Sequence, residues 1–125
     1  MENKLIIKTA LDVLKTEIIG IKKISKIIDN NFLNIIKKLS KTRGKVIFTG
    51  IGKSAHIAKK ISSTMSSTGT PSQFCHSTEM SHGDLGIISK NDIVIILSNS
   101  GNSVELEGVI NFCKKNKIYT IGVSS

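Results

Sequence analysis

The sequence predicts an α/β fold in which a doubly wound parallel sheet lies between two helical layers, with further helices at the N-terminus. Three features indicate this fold. From residue 45 onward, short apolar runs alternate with segments of helical periodicity. The run at 93–97 holds five apolar residues without polar alternation, which is typical of a strand covered on both faces. The 125 residues suffice for one domain, so we expect a single domain over 1–125.

Two helices are predicted before the sheet. Apolar residues recur at helical spacing over 4–28, with lysines between them, and again over 31–41. Such an amphipathic helix either lies on a membrane surface or packs on its own domain or on a second subunit. We favour packing and expect no membrane partner. No apolar run approaches the roughly 18 residues that a membrane-spanning helix needs.

The sheet region begins after Gly44, where the hydrophobic pattern changes. Four strands are predicted, at 45–49, 72–76, 93–97 and 118–123, of which the second is short. Two helices are predicted between them: one at 54–67 with Ile57, Ile61 and Met65 on one face, and one at 103–116 whose Leu106, Val109, Ile110 and Cys113 face inward. The segment 77–91 is polar and is predicted to contain one helical turn. In the flavodoxin-like order 2-1-3-4, strands one and three are neighbours. The loops that follow them then meet at the topological switch point, where such sheets bind ligands.

Both of these loops are suited to an anion. The first, 50–54, is Gly-Ile-Gly-Lys-Ser. Its glycines permit a sharp turn close to a ligand, and it opens a helix whose first amides favour negative charge. The second, 98–103, is Ser-Asn-Ser-Gly-Asn-Ser and offers three hydroxyls. Ser103 or Asn102 could be only a helix N-cap, but a cap explains one residue of the run. Together the loops predict a phosphate-bearing ligand.

Two nucleotide-binding motifs match the first loop in part. A P-loop would need a glycine at position 47, which is isoleucine, so that motif is excluded. Gly50-x-Gly52-x-x-Ala55 fits the loose dinucleotide fingerprint, with Glu79 as the candidate ribose-binding acid. This interpretation leaves the serine loop without a role. A dinucleotide-binding domain is therefore the weaker alternative.

The segment 75–84, Cys-His-Ser-Thr-Glu-Met-Ser-His-Gly-Asp, holds the densest chemistry. A metal site is one interpretation, but the spacing matches no zinc pattern and we predict no metal. His82 could exchange protons near neutral pH, and Asp84 could orient it or simply cap a turn. Glu105 lies beside the serine loop, where its alternative role is a favourable interaction with the helix dipole. His56 is expected to be structural.

Charge and cysteine content exclude several classes. The net charge is +9, and every cation except Arg43 is a lysine. We interpret this as a solvated lysine coat and expect no nucleic-acid partner, because stacking aromatics are scarce and arginine is nearly absent. Cys75 and Cys113 are too few for a disulfide framework, which favours reduced thiols and a cytoplasmic location.

Four motifs, in order and at matching spacing, give the chain a resemblance to a known family. They are Gly50-Ile-Gly-Lys-Ser-Ala-His-Ile-Ala, Ser67-Thr-Gly-Thr-Pro, His82-Gly-Asp-Leu-Gly and Ser98-Asn-Ser-Gly. From about residue 4 to the end, the sequence resembles the sugar isomerase (SIS) domain of arabinose-5-phosphate isomerases, a three-layer α/β/α fold.

The resemblance implies interconversion of D-ribulose 5-phosphate and D-arabinose 5-phosphate, which supplies the eight-carbon acid Kdo of Gram-negative lipopolysaccharide. It implies no cofactor, a pentose phosphate as the small-molecule partner, and a homo-oligomer, usually a tetramer. The implied catalytic residues are Lys53, His82 and Glu105. The implied phosphate-binding residues are Gly50, Gly52, Ser54, Ser98, Ser100, Gly101 and Ser103.

The chain also departs from the family pattern. It stops at Ser125, whereas family domains continue with a fifth strand and further helices, and usually a pair of CBS domains. Asn102 replaces a glutamate found in many relatives. These departures leave open a non-catalytic sugar-phosphate-binding module or an inactive fragment as the alternative function. The last strand would then be an apolar edge, and we expect oligomerisation or aggregation through it.

Overall fold

The computed structural model describes residues 2–125, which form two compact units that divide between Lys37 and Lys38. The first unit holds α1 (Glu2–Ile24), a 3-10 turn (Ser25–Ile27) and most of α2 (Asn30–Ser40). None of the described side chains of α1 is buried. No described helix is both long enough and apolar enough to cross a membrane.

The predicted helix over 4–28 is shorter than expected. The α-helix ends at Ile24, and the chain tightens into the 3-10 turn before Ile28 becomes extended. The Ser25 hydroxyl donates to the Lys22 carbonyl at 2.7 Å, which satisfies one of the last helical acceptors. The second predicted helix, 31–41, matches α2, whose start is capped by the Asp29 carboxylate accepting from the Phe32 amide at 3.0 Å.

The second unit confirms the predicted fold class and strand order. Its four parallel strands lie in the order β2-β1-β3-β4. The strands are β1 (Val46–Gly50), β2 (Ser72–Phe74), β3 (Ile93–Leu97) and β4 (Tyr119–Val123), and the helices are α3 (Gly52–Ser67), α4 (Ser77–Ser81) and α5 (Glu107–Lys115). β4 is an edge strand of this sheet, with Tyr119 and Val123 exposed.

The strand residues divide between the two faces of the sheet. Ile47, Val94 and Ile96 belong to the main core cluster together with side chains of α4 and α5. Residues one position away, such as Phe48, point to the opposite face. Right-handed crossovers that run in opposite directions from β1 and from β3 place α3 on that opposite face. The sheet is therefore covered on both sides, as the unbroken apolar run of β3 indicated.

Helix α3 packs on the sheet through small side chains. Ala55, Ala58 and Ser62 are buried, whereas Ile57 is exposed on the face that the periodicity assigned to Ile57, Ile61 and Met65. A helix packed through alanine and serine lies closer to a sheet than one packed through isoleucine. The two isoleucines of this set consequently lie on the exposed side of α3, whereas Met65 is half-buried.

Two segments differ from the predicted secondary structure. The helix expected at 103–116 begins as a 3-10 turn (Val104–Leu106) and becomes α-helical only at Glu107. Its predicted inward side chains Leu106, Val109 and Cys113 are buried. The polar segment at 77–91 is more ordered than predicted. It contains α4, capped by the imidazole of His76, and a 3-10 turn (Asp84–Ile87).

A buried carboxylate joins the starts of β1 and β3. Asp92 is 4% exposed and accepts from the amides of Lys45 at 2.9 Å and Ser89 at 2.8 Å, and its second oxygen lies 3.1 Å from the Lys45 ammonium. Burial raises the pKa of the Asp92 carboxyl, but the hydrogen bonds from Ser89 and Lys45 and the charge of Lys45 outweigh it, so the net pKa is lowered.

At the other end of β1, Gly50 fits where no larger residue would. A Cβ atom there would lie 2.9 Å from the Leu97 carbonyl oxygen and 3.2 Å from the Ala55 amide nitrogen. These neighbours are backbone atoms of β3 and α3, which cannot rotate away. The glycine therefore lets β1, β3 and the start of α3 meet at one point.

We expect Asp92→Ala to lower the free energy of unfolding by about 3 kcal/mol at pH 7, because two amides and one ammonium lose their buried acceptor. The folded-state pKa is lowered, so the stabilisation is present above the unfolded-state pKa of about 4 and is lost as the pH falls through the folded value. Urea titrations from pH 7 down to pH 3 measure both effects.

The matched control is Asp12→Ala, which removes an exposed pair with Lys15 and costs about 0.5 kcal/mol or less. Equal losses in the two variants would contradict this role of Asp92.

Gly50→Ala should cost about 1–3 kcal/mol, because the added methyl group forces backbone of β3 and α3 apart. Thermal unfolding followed by circular dichroism measures the loss. Gly86→Ala is the control, since a Cβ atom there meets nothing within 4 Å and the backbone is not left-handed. Wild-type stability of Gly50→Ala would show that the close approach at Gly50 is not a constraint.

Candidate functional site

The first loop presents unpaired helix amides. Gly52 has φ +55°, a left-handed conformation that favours glycine, and it begins α3 directly after Gly50 and Ile51. No side chain caps this helix N-terminus. Lys53 and Ser54 occupy the first turn, so their amides and side chains are available to a ligand beyond the end of the sheet.

The second loop is held by its own serines. The Ser98 hydroxyl oxygen accepts from the Gly101 amide at 3.1 Å and lies 3.3 Å from the Ser103 hydroxyl. The Ser100 hydroxyl oxygen accepts from the Asn102 amide at 3.3 Å. Gly101 has φ +68°, which lets the loop reverse direction. Ser103 is the N-cap residue of the following 3-10 turn by position, as one interpretation of the sequence expected, but its hydroxyl makes no cap hydrogen bond.

The two loops line one cleft of about 300 Å³. They meet because β1 and β3 are paired in parallel with Gly50 opposite Leu97, which ends both strands at the same edge. The expected convergence of the loops is confirmed. The lining residues are Ile51, Lys53, Ser54, Ser98, Asn99, Ser100 and Ser103. We call this space the serine cleft.

The predicted glycines shape the serine cleft without lining it. Gly50 is buried at the end of β1, and Gly52 and Gly101 provide the left-handed turns of the two loops. Of the residues expected to bind phosphate, Ser54, Ser98, Ser100 and Ser103 line the cleft directly. Lys53 is the one predicted catalytic residue among the lining residues.

His82 and Glu105 are not among the residues that line the serine cleft. His82 follows α4 and is exposed, and within the described residues it makes no hydrogen bond to Asp84. Asp84 instead begins a 3-10 turn. Glu105 is also exposed and lies in the 3-10 turn before α5, ahead of the α-helix whose dipole was its alternative role.

The metal alternative for residues 75–84 gains no support from the geometry. Across residues 2–125, no three His, Cys, Asp or Glu side chains are grouped so that they could hold one ion. Burial raises the pKa of the Cys75 thiol, and the charge of Asp84 raises it further, so this thiol stays protonated and belongs to the core. Cys113 is likewise a buried free thiol whose pKa is raised by burial.

Three polar residues at or next to the serine cleft were not predicted from the sequence as site residues. Asn99 lines the serine cleft, and its carbonyl accepts from the Ser125 hydroxyl at 2.5 Å. The buried Ser77 hydroxyl donates to the Gly50 carbonyl at 3.3 Å and so ties α4 to the first loop. The hydroxyl of Thr49, the residue before Gly50, is buried without a partner among the described residues. Asn99 stood within the serine run, but no sequence signal marked Ser77 or Thr49.

Comparisons with known proteins agree with this geometry. Arabinose 5-phosphate isomerase KdsD from Francisella tularensis is 42% identical over 122 residues, which cover 95% of this chain and 37% of the relative. The protein of the same name from Yersinia pestis is 43% identical over 113 residues, covering 90% of this chain and 34% of the relative. The chain thus spans about a third of the length of these curated relatives.

A solved structure, Escherichia coli CFT073 c3406 in complex with arabinose 5-phosphate, superposes with a TM-score of 0.76 at 42% sequence identity. The superposition covers 93% of this chain and 64% of that one. A family model described as the SIS domain matches residues 38–125. Because this match covers well over half of the sequence, the chain belongs to the SIS domain family.

Proposed function

We propose that this chain is a sugar-phosphate isomerase domain that interconverts D-ribulose 5-phosphate and D-arabinose 5-phosphate, a step toward Kdo and lipopolysaccharide. The observation that carries the proposal is the serine cleft, in which two loops bring hydroxyls, a lysine and uncapped helix amides to one space. Two relatives bear the name arabinose 5-phosphate isomerase, and the similar solved structure is a complex with arabinose 5-phosphate.

The hydrogen bonds within the cleft leave suitable donors for a phosphate. The Ser100 oxygen accepts from the Asn102 amide, so its hydroxyl proton remains available. In the Ser98–Ser103 pair only one hydroxyl donates to the other, which leaves the second proton available. Ser54 and the first amides of α3 face the same space, where the helix dipole and Lys53 favour a dianion.

The chemistry would be proton transfer between C1 and C2 of the pentose through an enediol. A base removes the carbon-bound proton, and an acid serves the neighbouring oxygen. Lys53 would stabilise the developing negative charge, since it lines the cleft. His82 and Glu105 are the proposed acid and base groups, and no cofactor is required by this mechanism.

A second function, a sugar-phosphate-binding module without catalysis, is favoured by one observation. His82 and Glu105 lie outside the lining of the serine cleft, whereas the proposed phosphate-binding serines lie within it. The geometry therefore supports binding more directly than proton transfer. Binding and turnover are best measured separately.

Ser100→Ala should weaken D-arabinose 5-phosphate binding by about tenfold or more, because a hydrogen bond to a charged group is worth about 1.5–3 kcal/mol. Isothermal titration calorimetry measures the dissociation constant. Ser63→Ala is the matched control, since Ser63 is an exposed serine of α3 away from the cleft. Unchanged affinity in Ser100→Ala would contradict the proposed phosphate site.

The full chain should convert D-arabinose 5-phosphate to D-ribulose 5-phosphate, and His82→Ala should lower the rate by about 10²-fold or more if His82 transfers a proton. His56→Ala, which changes an exposed histidine of α3, should retain activity. Binding without turnover in a folded wild-type sample would leave the non-catalytic module as the function. Turnover that is insensitive to His82→Ala would remove His82 from the mechanism.

A further inference from the structure

A second cleft, of about 370 Å³, lies at the opposite edge of the sheet, where the strands begin. Its walls are the end of α2 with residues 41–43, the turn at 90–93 before β3, and Lys117 with Tyr119 at the start of β4. We infer that this space, which we call the basic cleft, binds a small polyphosphate anion. The inference is independent of the proposed function, because the serine cleft lies at the other ends of the strands.

Positive charge dominates the basic cleft. Five of its ten lining residues are cationic: Lys38, Lys41, Arg43, Lys90 and Lys117. Its one acidic residue, Asp92, is almost fully buried and already saturated by Lys45 and two amides. Within residues 2–125, no carboxylate pairs with Lys41, Arg43, Lys90 or Lys117. The field in the cleft is therefore uncompensated.

The remaining carboxylates of the second unit lie elsewhere. Glu79 and Asp84 belong to α4 and the turn after it, and Glu105 and Glu107 begin the helical segment after the serine loop. All four follow the carboxyl ends of the strands. Apart from the buried Asp92, the carboxylates of the unit therefore lie away from the basic cleft and do not offset its charge.

The walls of the basic cleft are fixed to one another. The Thr42 hydroxyl donates to the Asn91 carbonyl at 2.9 Å, and the Lys45 amide donates to Asp92. Gly44 permits this contact, because a Cβ atom there would overlap the Asn91 carbonyl and the Asp92 carboxylate. The backbone that carries the cations is consequently ordered before an anion binds, so binding does not have to order the walls.

Lys117 holds an unusual backbone conformation. It follows the last residues of α5 with φ +54°, in the left-handed region where glycine or asparagine is favoured. Its amide donates to Lys114, and the Ile118 and Asn116 amides also donate to carbonyls of α5. The negative end of the α5 dipole is thereby partly satisfied. The Lys117 side chain thus lines the basic cleft from a backbone position where glycine would be less strained.

The size and lining of the cleft favour a small anion with three or more charges. Its volume falls in the range of small-ligand sites. The cations converge on one concavity rather than following an extended track, as a nucleic-acid backbone would require. Tyr119 forms one wall, with the Lys38 ammonium 5.1 Å from its ring centre. Inorganic tripolyphosphate and a nucleoside triphosphate share this chemistry.

Tyr119 makes the test direct, because it is the only tyrosine and the sequence has no tryptophan. Titration of the full chain with inorganic tripolyphosphate should change tyrosine fluorescence in a saturable way that weakens with added salt. Lys90→Gln combined with Lys117→Gln should weaken binding at least tenfold. The matched control, Lys59→Gln with Lys60→Gln on α3, removes the same charge away from the cleft and should bind as wild type. Equal weakening in both double variants would show a nonspecific lysine coat and overturn the inference.

Two further variants separate the possible explanations. Lys117→Gly should raise the melting temperature by relieving the left-handed strain and yet weaken tripolyphosphate binding; unchanged binding would contradict the inference. Ser100→Ala should keep the tyrosine response, because the serine cleft is a different site.

A comparison of ligands identifies the occupant of the basic cleft. Adenosine triphosphate binding more tightly than tripolyphosphate would assign the cleft to a nucleotide, and equal affinity would assign it to the phosphate chain alone. An oligonucleotide could also displace tripolyphosphate. If it did so and bound equally well to wild type and to the double variant Lys90→Gln with Lys117→Gln, the inference would be overturned.

Discussion

The pairing of β1 with β3 is the constraint on which the rest of the structure depends. These strands are far apart in sequence, yet Gly50 lies opposite Leu97 so that both strands end at the same level. The absence of a side chain at Gly50 lets the start of α3 reach this point. At the other end, the Asp92 carboxylate joins the starts of the same two strands. One strand pair therefore sets the position of both loops of the serine cleft.

The architecture could be predicted because its signals are local. The unbroken apolar run of β3 indicated a strand buried on both faces, and the alternation of strands with helices indicated a parallel sheet. The packing face of α3 was less evident. Its isoleucines form an apolar stripe, but the buried residues are Ala55, Ala58 and Ser62, because close packing on a sheet selects small side chains. Periodicity reports which residues share a face and not which face is buried.

The site was predictable to the extent that it consists of loops at strand ends. Topology alone placed 50–54 beside 98–103, and these segments do line one cleft. The positions of His82 and Glu105 could not be derived in this way. His82 follows the short helix α4 and Glu105 lies within a 3-10 turn, and the course of both segments depends on tertiary contacts. The Ser77 hydroxyl, which bonds to the Gly50 carbonyl, carries no sequence signature, since its role exists only when α4 meets β1.

The two edges of the sheet have different electrostatic characters. The carboxyl ends of the strands offer hydroxyls and helix amides, and their amino ends offer a cluster of cations. The most direct test of the central claim is an amide NMR titration of the ¹⁵N-labelled chain with D-arabinose 5-phosphate. Our account predicts the largest shift changes at the amides of 52–54 and 98–103. Changes confined to Lys90, Lys117 and their neighbours, or spread evenly over the surface, would contradict it.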